Sequence, residues 1–514
     1  NSIDYIHSCT TMMKEEKKDF ENQVGRVLDR ISQSDTITFR ELAIAAGLDP
    51  SKDFVGVDLS GIDFREEDLS GFDFSKADLR FADFRRAKLD GLTFNEANIV
   101  GAIGLPGPKD ANSSAPRSRR ELKNIIARGD LPPKEFVKNL RELRFGDTVI
   151  NEISVLRNIK TLEVLSLINR YILDFSPIED LKELRILNLD GSNVKSFDSI
   201  KTLGHLSVLT AGGSSLENIR GIEGSKNLNI LDVSDTYVDD ISLLSGINLV
   251  RLDIGRTSVD SIRPLKEMSK LVHLSLEFCP VIDISILRNL LRLRTLNLNG
   301  TKVVDLSPIS DLVNIDRLYM SGTKVTDISC VKNLNDLQIL IISNNKILYP
   351  DETIKNLKNL RRLSASSCGV MSEYLDISAM NQLNYIDLSY NNIQKLSIGD
   401  LTDSEFIYIN IDGNPISDIS FLAKLNEVSM LSLRGTQLVD FAPLDDIENI
   451  RQLKLGDIEF KKLERIWDRG NVKTVIINER TFKRTDFDLS KLKGARSFVA
   501  TGAIHETEVY LSRN

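Results

Sequence analysis

Apolar residues recur along most of the chain with a period of about 22 residues. A leucine, isoleucine or valine begins each period, and a second apolar residue follows it two positions later. Residues two apart on a β-strand point to the same face, so each pair predicts a short strand with one buried side. We call the first residue of each pair the anchor of a repeat. The anchors are Leu143, Leu165, Leu187, Leu209, Leu231, Leu252, Leu274, Leu296, Leu318, Leu340, Leu363, Ile386, Ile409, Leu431, Leu453 and Val475.

The rest of each repeat is also patterned. Five residues after the anchor, most repeats have Thr, Ser, Asn or Cys, as at Thr301 and Asn345. A small polar side chain there can hydrogen-bond backbone groups where the chain leaves the strand. The second half is rich in Asp, Ser and Pro, which predicts a tight turn or a short 3₁₀ segment and not a long helix. One repeat cannot bury its own strand face, so the repeats must stack into a long parallel sheet.

Residues 137–482 resemble leucine-rich repeats of the type found in internalins and in a phosphatase regulator. The shared consensus is LxxLxLxxTxVxDISPLxxL, and "LNLNGTKVVDLSPISDL" at 296–312 matches it closely. The resemblance implies a mainly β repeat solenoid, curved, with a parallel sheet on its concave side. It specifies a fold and not a reaction.

A second periodic pattern, of five residues, occupies residues 55–102. Alanine often stands two positions before the central residue of each period. This segment resembles the pentapeptide repeats, which coil into a square right-handed β-solenoid with four repeats per coil. Glu67, at an inward position, and Lys88, in the Asp/Asn position, depart from the pattern and put one edge of the coil in doubt. The central residues are Leu59, Phe64, Leu69, Phe74, Leu79, Phe84, Leu89, Phe94 and Ile99.

These patterns divide the chain into five parts. Helical spacing at Lys14–Ile31, and a short helix beginning after Thr38 and ending before Pro50, predict a helical N-terminal region. The Pro-, Gly- and Ser-rich stretch after the pentapeptides predicts a linker, followed by a helix, a Pro-Pro turn and the cap of the array. The predicted parts are 1–54 (helical), 55–102 (pentapeptide solenoid), 103–120 (linker), 121–482 (leucine-rich repeats with a helical cap) and 483–514 (C-terminal cap).

Composition narrows the classes of function. The 514 residues carry a formal net charge of −8, which argues against a nucleic-acid binder held by phosphate contacts. No apolar run reaches the roughly 18 residues needed to span a membrane, and the first residues lack the pattern of a signal peptide. The four cysteines form no CxxC pair, which favours a reducing compartment. We expect a cytoplasmic protein, or one exported without a classical signal peptide, and either a monomer or part of a hetero-complex.

The sequence holds no recognisable catalytic motif. It lacks the patterns GxxxxGK[ST], GxSxG and HExxH, and its four histidines are far apart. Cys279 and Cys368 fall in the column five residues after the anchor, where cysteine substitutes for asparagine. We therefore expect no enzyme, no cofactor and no metal.

What remains is a binding surface on the strands. Residues one before, one after and three after each anchor are expected to face the concave side. In the first third of the array these are small or acidic, as at Asp190 and Asp253, whereas Arg and Tyr appear later. Arg and Tyr dominate interface energetics, although strands favour Tyr in any case. The predicted partner-binding residues are Arg251, His273, Glu277, Phe278, Arg317, Tyr319, Arg362, Tyr385, Tyr390 and Tyr408.

Three hypotheses follow for the function. The first is an interaction protein, such as a bacterial effector, sensor or adaptor, that binds a protein on the concave face. The second is a regulatory subunit that modulates an enzyme. The third is a DNA-mimicking inhibitor, as some pentapeptide proteins are, but two coils are too short for a DNA-like rod.

Overall fold

The structure is a computed structural model. It describes Phe39, Arg40 and Ala43, then residues 49–105 and 119–478 with short gaps, and the strands within 495–513. The predicted helix at Lys14–Ile31 and most of the predicted linker lie outside the described residues. The chain divides into two compact units, residues 1–181 and 182–514, which are described in turn.

The pentapeptide segment of the first unit forms the predicted coil. Backbone bridges join residues twenty positions apart, so four pentapeptides complete one turn of the coil. Each corner is closed by a hydrogen bond between residues three apart, such as Ala82 N–H to the Leu79 carbonyl at 3.1 Å. The bridged pairs are Asp68 with Lys88, Asp73 with Thr93, and Asp78 with Asn98.

Phenylalanines fill the centre of this coil. Phe64 and Phe84, one turn apart, stack with ring centroids 4.9 Å apart and an interplanar angle of 26°. Phe74 lies 5.7 Å from Phe64, and Phe39 meets Phe64 edge-on at 4.9 Å. All four rings are buried, as are the other predicted central residues from Leu59 to Leu79, whereas Leu89, Phe94 and Ile99 are only partly buried.

Both departures from the pentapeptide pattern have structural partners. The Glu67 carboxylate accepts a hydrogen bond from the backbone N–H of Phe39, in the short helical stretch before the coil, at 2.8 Å. Arg40 donates from Nε to the Asp68 carbonyl at 3.2 Å, and the Lys88 ammonium lies 3.7 Å from the Asp68 carboxylate. The coil runs on through both positions, because Lys88 N–H donates to the Glu67 carbonyl at 2.8 Å.

The first unit continues into the start of the leucine-rich array. Arg80, which is buried and pairs with Asp78, also donates from Nη2 to the Asn139 carbonyl at 3.0 Å. This bond ties the coil to the turn ahead of the first strand, and a helix, a Pro-Pro pair and a second helix precede that turn as predicted. The elements here are α1 (Arg119–Ala127), α2 (Lys134–Val137), β1 (Glu142–Arg144) and β2 (Val164–Ser166), with 3₁₀ segments at Ser154–Asn158 and Ser176–Asp180.

The second unit is a stack of repeats around a parallel sheet. Each three-residue strand is centred on an anchor, and the anchors lie opposite one another, as Leu252 does to Leu274. Two small parallel sheets, β11 with β13 and β14 with β16, form on the far side of the repeats. The strands are β3 (Ile186–Asn188), β4 (Val208–Thr210), β5 (Ile230–Asp232), β6 (Arg251–Asp253), β7 (His273–Ser275), β8 (Thr295–Asn297), β9 (Arg317–Tyr319), β10 (Ile339–Ile341), β11 (Ile347–Leu348), β12 (Arg362–Ser364), β13 (Gly369–Val370), β14 (Tyr374–Ile377), β15 (Tyr385–Asp387), β16 (Lys395–Ile398), β17 (Tyr408–Asn410), β18 (Glu427–Ser432), β19 (Asn449–Lys454), β20 (Val472–Asn478), β21 (Ala495–Thr501) and β22 (Thr507–Arg513).

Short 3₁₀ segments form the side opposite the main sheet, as predicted. The repeated aspartate begins many of them, because its carboxylate accepts the N–H two residues later, as Asp327 does from Ser329 at 2.7 Å. Helices occur only twice among the described residues of this unit, as α3 (Asp351–Ile354) and α4 (Phe460–Asp468). The 3₁₀ segments are Asp198–Ile200, Ile222–Gly224, Ser242–Leu244, Arg263–Glu267, Ser285–Asn289, Ser307–Ile309, Ser329–Asn333, Ser420–Lys424 and Ala442–Asp446.

A polar ladder runs through the core beside the sheet. The Asn414 side chain is fully buried and donates to the carbonyls of Leu388 and Ile411 at 2.9 and 3.1 Å. Thr301 makes the simpler version, donating only to the Leu298 carbonyl at 2.7 Å. The small polar column therefore satisfies backbone groups at the strand exit, as the sequence predicts.

The last repeat and the C-terminal strands differ from the rest. Helix α4 stands where a 3₁₀ segment would be expected, and it buries the chain's single tryptophan, Trp467, completely. Strand β20 pairs antiparallel with β22, which pairs antiparallel with β21. These two strands therefore occupy the edge that β20 would otherwise leave open.

Candidate functional site

The residue before each anchor forms a single line of side chains across the sheet, which we call the leading column. Register places these residues opposite one another from strand to strand, for example Arg251 opposite His273. The column is apolar at first, then cationic, then aromatic, and it contains no acidic residue from Ile186 to Gln452. In order its members are Ile186, Val208, Ile230, Arg251, His273, Thr295, Arg317, Ile339, Arg362, Tyr385, Tyr408, Met430 and Gln452.

Positive charge is concentrated around His273. Burial, together with the nearby charges of Arg251, Arg317 and Arg294, lowers the pKa of His273 to about 4. The imidazole is therefore neutral at physiological pH, and three arginine side chains lie close enough for their charges to act on it. The guanidinium of Arg294 pairs with Asp316, whose other carboxylate oxygen lies 3.9 Å from Nε of Arg317.

Glu277 is held by its neighbours. Its carboxylate accepts from Nη2 of Arg256 at 2.7 Å and from the Asn297 side-chain amide at 3.1 Å. The Arg256 guanidinium also lies 4.5 Å from the centre of the Phe278 ring. Glu277 is thus part of a local ion pair, and this pairing reduces its availability to an incoming ligand.

The aromatic end of the leading column is a stack of ordered side chains. Tyr385 and Tyr408 lie parallel, with ring centroids 4.4 Å apart and an interplanar angle of 7°. The Arg362 guanidinium lies 4.1 Å from the Tyr385 centroid on the next strand. Burial, followed by the proximity of Tyr385, raises the pKa of Tyr408, so its hydroxyl stays protonated. Met430 continues the line on β18.

The other predicted residues are divided between the sheet and its edge. Tyr319 lies on β9, one position after the anchor. Phe278 and Tyr390 lie beyond the strands, where each adopts a left-handed backbone, with φ of 56° in both cases. They are 53% and 66% exposed, and each follows a strand of the sheet by a few residues.

Each of these two rings covers a glycine of the next repeat. A Cβ placed on Gly413 would come within 2.6 Å of the Tyr390 ring, and a Cβ on Gly300 would collide with the Phe278 ring. The same left-handed position is glycine in several repeats, including Gly322 and Gly435. The aromatic residues therefore occupy a position where glycine is more favourable, and their rings stay accessible.

Sequence reasoning missed one exposed aromatic residue. Phe406 stands three residues before its anchor, where the other repeats bury Leu, Ile or Val, so the pattern assigns it to the core. The structure instead buries Ile407 and leaves Phe406 63% exposed, with φ of 59° and the Arg451 guanidinium 5.1 Å from its centroid. The spacing gave no signal, because the two preceding repeats are also 23 residues long and bury Leu360 and Leu383 at the same position.

Acidic side chains of the first strands in this unit are partly buried. Burial raises the pKa of both Asp190 and Asp253, with a further contribution from the charge of Asp232. Asp253 accepts the Gly255 N–H at 2.9 Å, as its asparagine counterpart Asn297 does from Asn299 at 3.0 Å. Asp253 and Asn297 therefore accept the same backbone hydrogen bond, which is a feature of the repeat.

The three described cysteines have structural surroundings. Cys279 and Cys368 direct their thiols at backbone carbonyls, of Ile254 at 2.9 Å and Ile342 at 3.0 Å. Burial raises the pKa of Cys279, and that of Cys330 and Cys368 to about 11 and about 12. In the described part of the chain, no group of three or more His, Cys, Asp or Glu side chains could hold a metal, and no helix is long and apolar enough to cross a membrane.

Comparisons with known proteins agree with both repeat types. The family search finds pentapeptide repeats, in 8 copies, at residues 53–91. An internalin from Listeria monocytogenes is similar in structure over 67% of this chain and 98% of its own, with 21% identity and a TM-score of 0.52. A leucine-rich-repeat protein of Leptospira interrogans covers 65% of this chain and 96% of its own, with 21% identity and a TM-score of 0.49. No curated protein matches the sequence. The chain thus combines a pentapeptide-repeat segment with an array that has the leucine-rich-repeat fold.

Proposed function

We propose that this protein is a non-catalytic interaction protein that binds a protein partner on the concave face of its leucine-rich array. The contact residues we infer are those of the leading column together with Tyr319 and Glu277, bordered by Phe278 and Tyr390. In this role it acts as an effector, a sensor or an adaptor. The domain boundaries set out from the sequence are part of the same proposal.

The stack of Arg362, Tyr385 and Tyr408 carries the proposal. These side chains are only half-buried, yet each is held by the next. An aromatic surface that is already ordered loses little conformational entropy when a partner covers it. Tyr and Arg are also the residues that most often dominate the energy of protein interfaces.

The test is capture of a partner with matched variants. Wild-type protein, the variant Tyr385→Ala with Tyr408→Ala, and a control variant are immobilised and exposed to lysate of the source organism. The control, Tyr237→Ala with Tyr349→Ala, removes two exposed tyrosines that lie outside the strands of the sheet. Bound proteins are identified by mass spectrometry, and the purified candidate is then titrated against all three forms.

We expect a partner that binds the wild type and the control alike and binds the strand variant on the order of tenfold more weakly, or worse. Circular dichroism establishes that both variants are folded. Equal binding to all three forms would place the site elsewhere and contradict the proposal. A partner enzyme whose activity changes on binding would identify the regulatory-subunit form of the same function.

A further inference from the structure

The leading column suggests what kind of chain the concave face receives, and this inference rests on the proposed function. Its cationic residues lie between Arg251 and Arg362, Tyr385, Tyr408 and Met430 follow them, and none of these positions is acidic. Acidic side chains of the face stand in the other columns, as Glu277 and Asp412 do, where neighbouring groups bond them. The column therefore presents three arginines separated by neutral side chains, followed by two tyrosines.

Two of its arginines form no close ion pair with a described residue, although Arg251 lies near enough to Asp253 for its charge to offset part of the rise in the pKa of that carboxyl. Among the residues that the structure describes, Arg251 and Arg362 make no ion pair, whereas Arg256 and Arg294 each have one. Arg362 also has a buried Nε with no hydrogen-bond acceptor. A buried donor without an acceptor is costly, and an incoming anion would remove that cost.

The spacing of the cations fits an extended polypeptide. Neighbouring strands lie about 4.8 Å apart, so three steps from Arg251 to Arg317 span about 14 Å and two steps to Arg362 span about 10 Å. An extended chain advances about 3.3 Å per residue, so these gaps correspond to about four and three residues. Tyr385 and Tyr408 come directly after Arg362 in the column.

We propose that the leading column binds an extended acidic segment of the partner, with carboxylates at Arg251, Arg317 and Arg362 and an apolar side chain on the Tyr385–Tyr408 stack. The segment runs across the strands, and not along them. Arginine suits this role because its guanidinium can form two parallel hydrogen bonds to one carboxylate.

The experiment is a selection of random 12-residue linear peptides displayed on phage against the full chain. Five forms are compared: wild type, a triple variant (Arg251→Gln, Arg317→Gln, Arg362→Gln), the same three positions changed to Lys, a control triple variant, and Tyr385→Ala with Tyr408→Ala. The control changes three exposed cations outside the column, Lys270→Gln, Arg292→Gln and Lys332→Gln, and so has the same net charge as the first variant. The readout is the frequency of Asp and Glu among recovered peptides relative to the unselected library.

We expect Asp and Glu to be enriched roughly twofold or more by the wild type, the control and the Lys variant, because charge complementarity selects them. The Gln variant should lose this enrichment while keeping the wild-type circular dichroism spectrum. Tyr385→Ala with Tyr408→Ala should keep the acidic preference and lose only the apolar residue beside it.

Three results would overturn the inference. They are peptides without acidic enrichment, enrichment that the Gln variant retains, and recovery of no peptide by the wild type. None of these would by itself contradict binding on the concave face, which the capture experiment decides separately. If the wild type recovers apolar peptides and the tyrosine variant alone fails to recover them, the result would support binding on the concave face. It would contradict the proposal that the bound segment is acidic.

Discussion

The pentapeptide coil and the leucine-rich array are both stacks of short repeats, but their periods leave different amounts of surface free. In the coil, one residue in five fills the centre and a small residue two positions before it lines the same interior, as Leu79 and Ala77 do. In most of the three-residue strands of the array only the anchor is buried, so its two neighbours face outward. The phenylalanine rings of the coil are buried in its core, whereas Tyr385 and Tyr408 lie on the outer face of a sheet whose core is made by the anchors.

The comparison teaches where function can be added to a repeat. A core position is constrained by its neighbours one turn away, as Phe64 is by Phe84. A position on the outer strand face has no such constraint, so it can vary from repeat to repeat. The leading column shows this variation, because its members are apolar, cationic and aromatic on strands that are otherwise alike.

The largest expected effect is in the core of the coil. Phe64→Ala should destabilise the coil by about 3 to 5 kcal/mol, because it removes a buried ring that touches three others. Phe64→Leu should cost less, since Leu fills the same position in neighbouring pentapeptides. Hydrogen exchange of amides in 56–99 measures the loss, with amides in 273–345 as the internal reference. Equal loss of protection in both regions would show that Phe64 stabilises the coil and the array alike, and not the coil alone.

The next effect is in the polar ladder of the array. Asn414→Ala should cost on the order of 3 kcal/mol, because the carbonyls of Leu388 and Ile411 and the N–H of Ile393 all lose a buried partner. Asn414→Thr should cost less, as Thr301 shows that a hydroxyl can serve one carbonyl. Urea midpoints of the three forms measure this order. Equal midpoints for Ala and Thr would show that the ladder contributes packing and not hydrogen bonds.

A smaller effect is expected at the edge of the sheet. Here the smaller replacement, glycine, should be more stable than alanine. Phe278→Gly should be more stable than Phe278→Ala by about 1 kcal/mol, because only glycine adopts φ of 56° without strain. Both variants lose the ring, so their difference isolates the backbone. Thermal unfolding compares them. A more stable alanine variant would mean that the backbone at position 278 relaxes. The left-handed conformation would then not be a strain that Phe278 imposes on the fold.

The smallest effect depends on pH. The pKa of Asp253 is raised, so the folded state binds more protons than the unfolded state as pH rises from about 4, and ionisation lowers stability. Asp253→Asn should therefore stabilise the protein by about 0.5 kcal/mol at pH 7 and have no effect near pH 2, where the carboxyl is protonated in both states. Denaturant midpoints at both pH values measure it.

Asp327 is the matched control for this prediction. Hydrogen bonds from Ser329 lower its pKa, so its ionised form stabilises the fold above pH 4 and that contribution is lost as pH falls. Asp327→Asn should therefore destabilise at pH 7, opposite in sign to Asp253→Asn. If both substitutions changed the stability at pH 7 in the same direction, the two aspartates would not differ as described. The prediction requires burial to dominate at Asp253 and turn hydrogen bonds to dominate at Asp327.

The sequence by itself determined the two periods, the buried columns and the role of the small polar column. These follow from regular spacing, because a repeat that must stack on its copy fixes which side chains point inward. It also determined which residues face outward on the strands, since alternation on a strand is a local property.

Only the tertiary structure decided how side chains from different repeats meet. It pairs Glu67 with the helical stretch at Phe39, exposes Phe406 where the pattern would bury it, and stacks Tyr385 on Tyr408. It also shows which arginines form an ion pair with a carboxylate, as Arg294 does. Among the described residues, Arg251 forms no such pair. The physical reason is that a period fixes direction along one chain segment, whereas a contact depends on two segments and on the rotamers that fit between them.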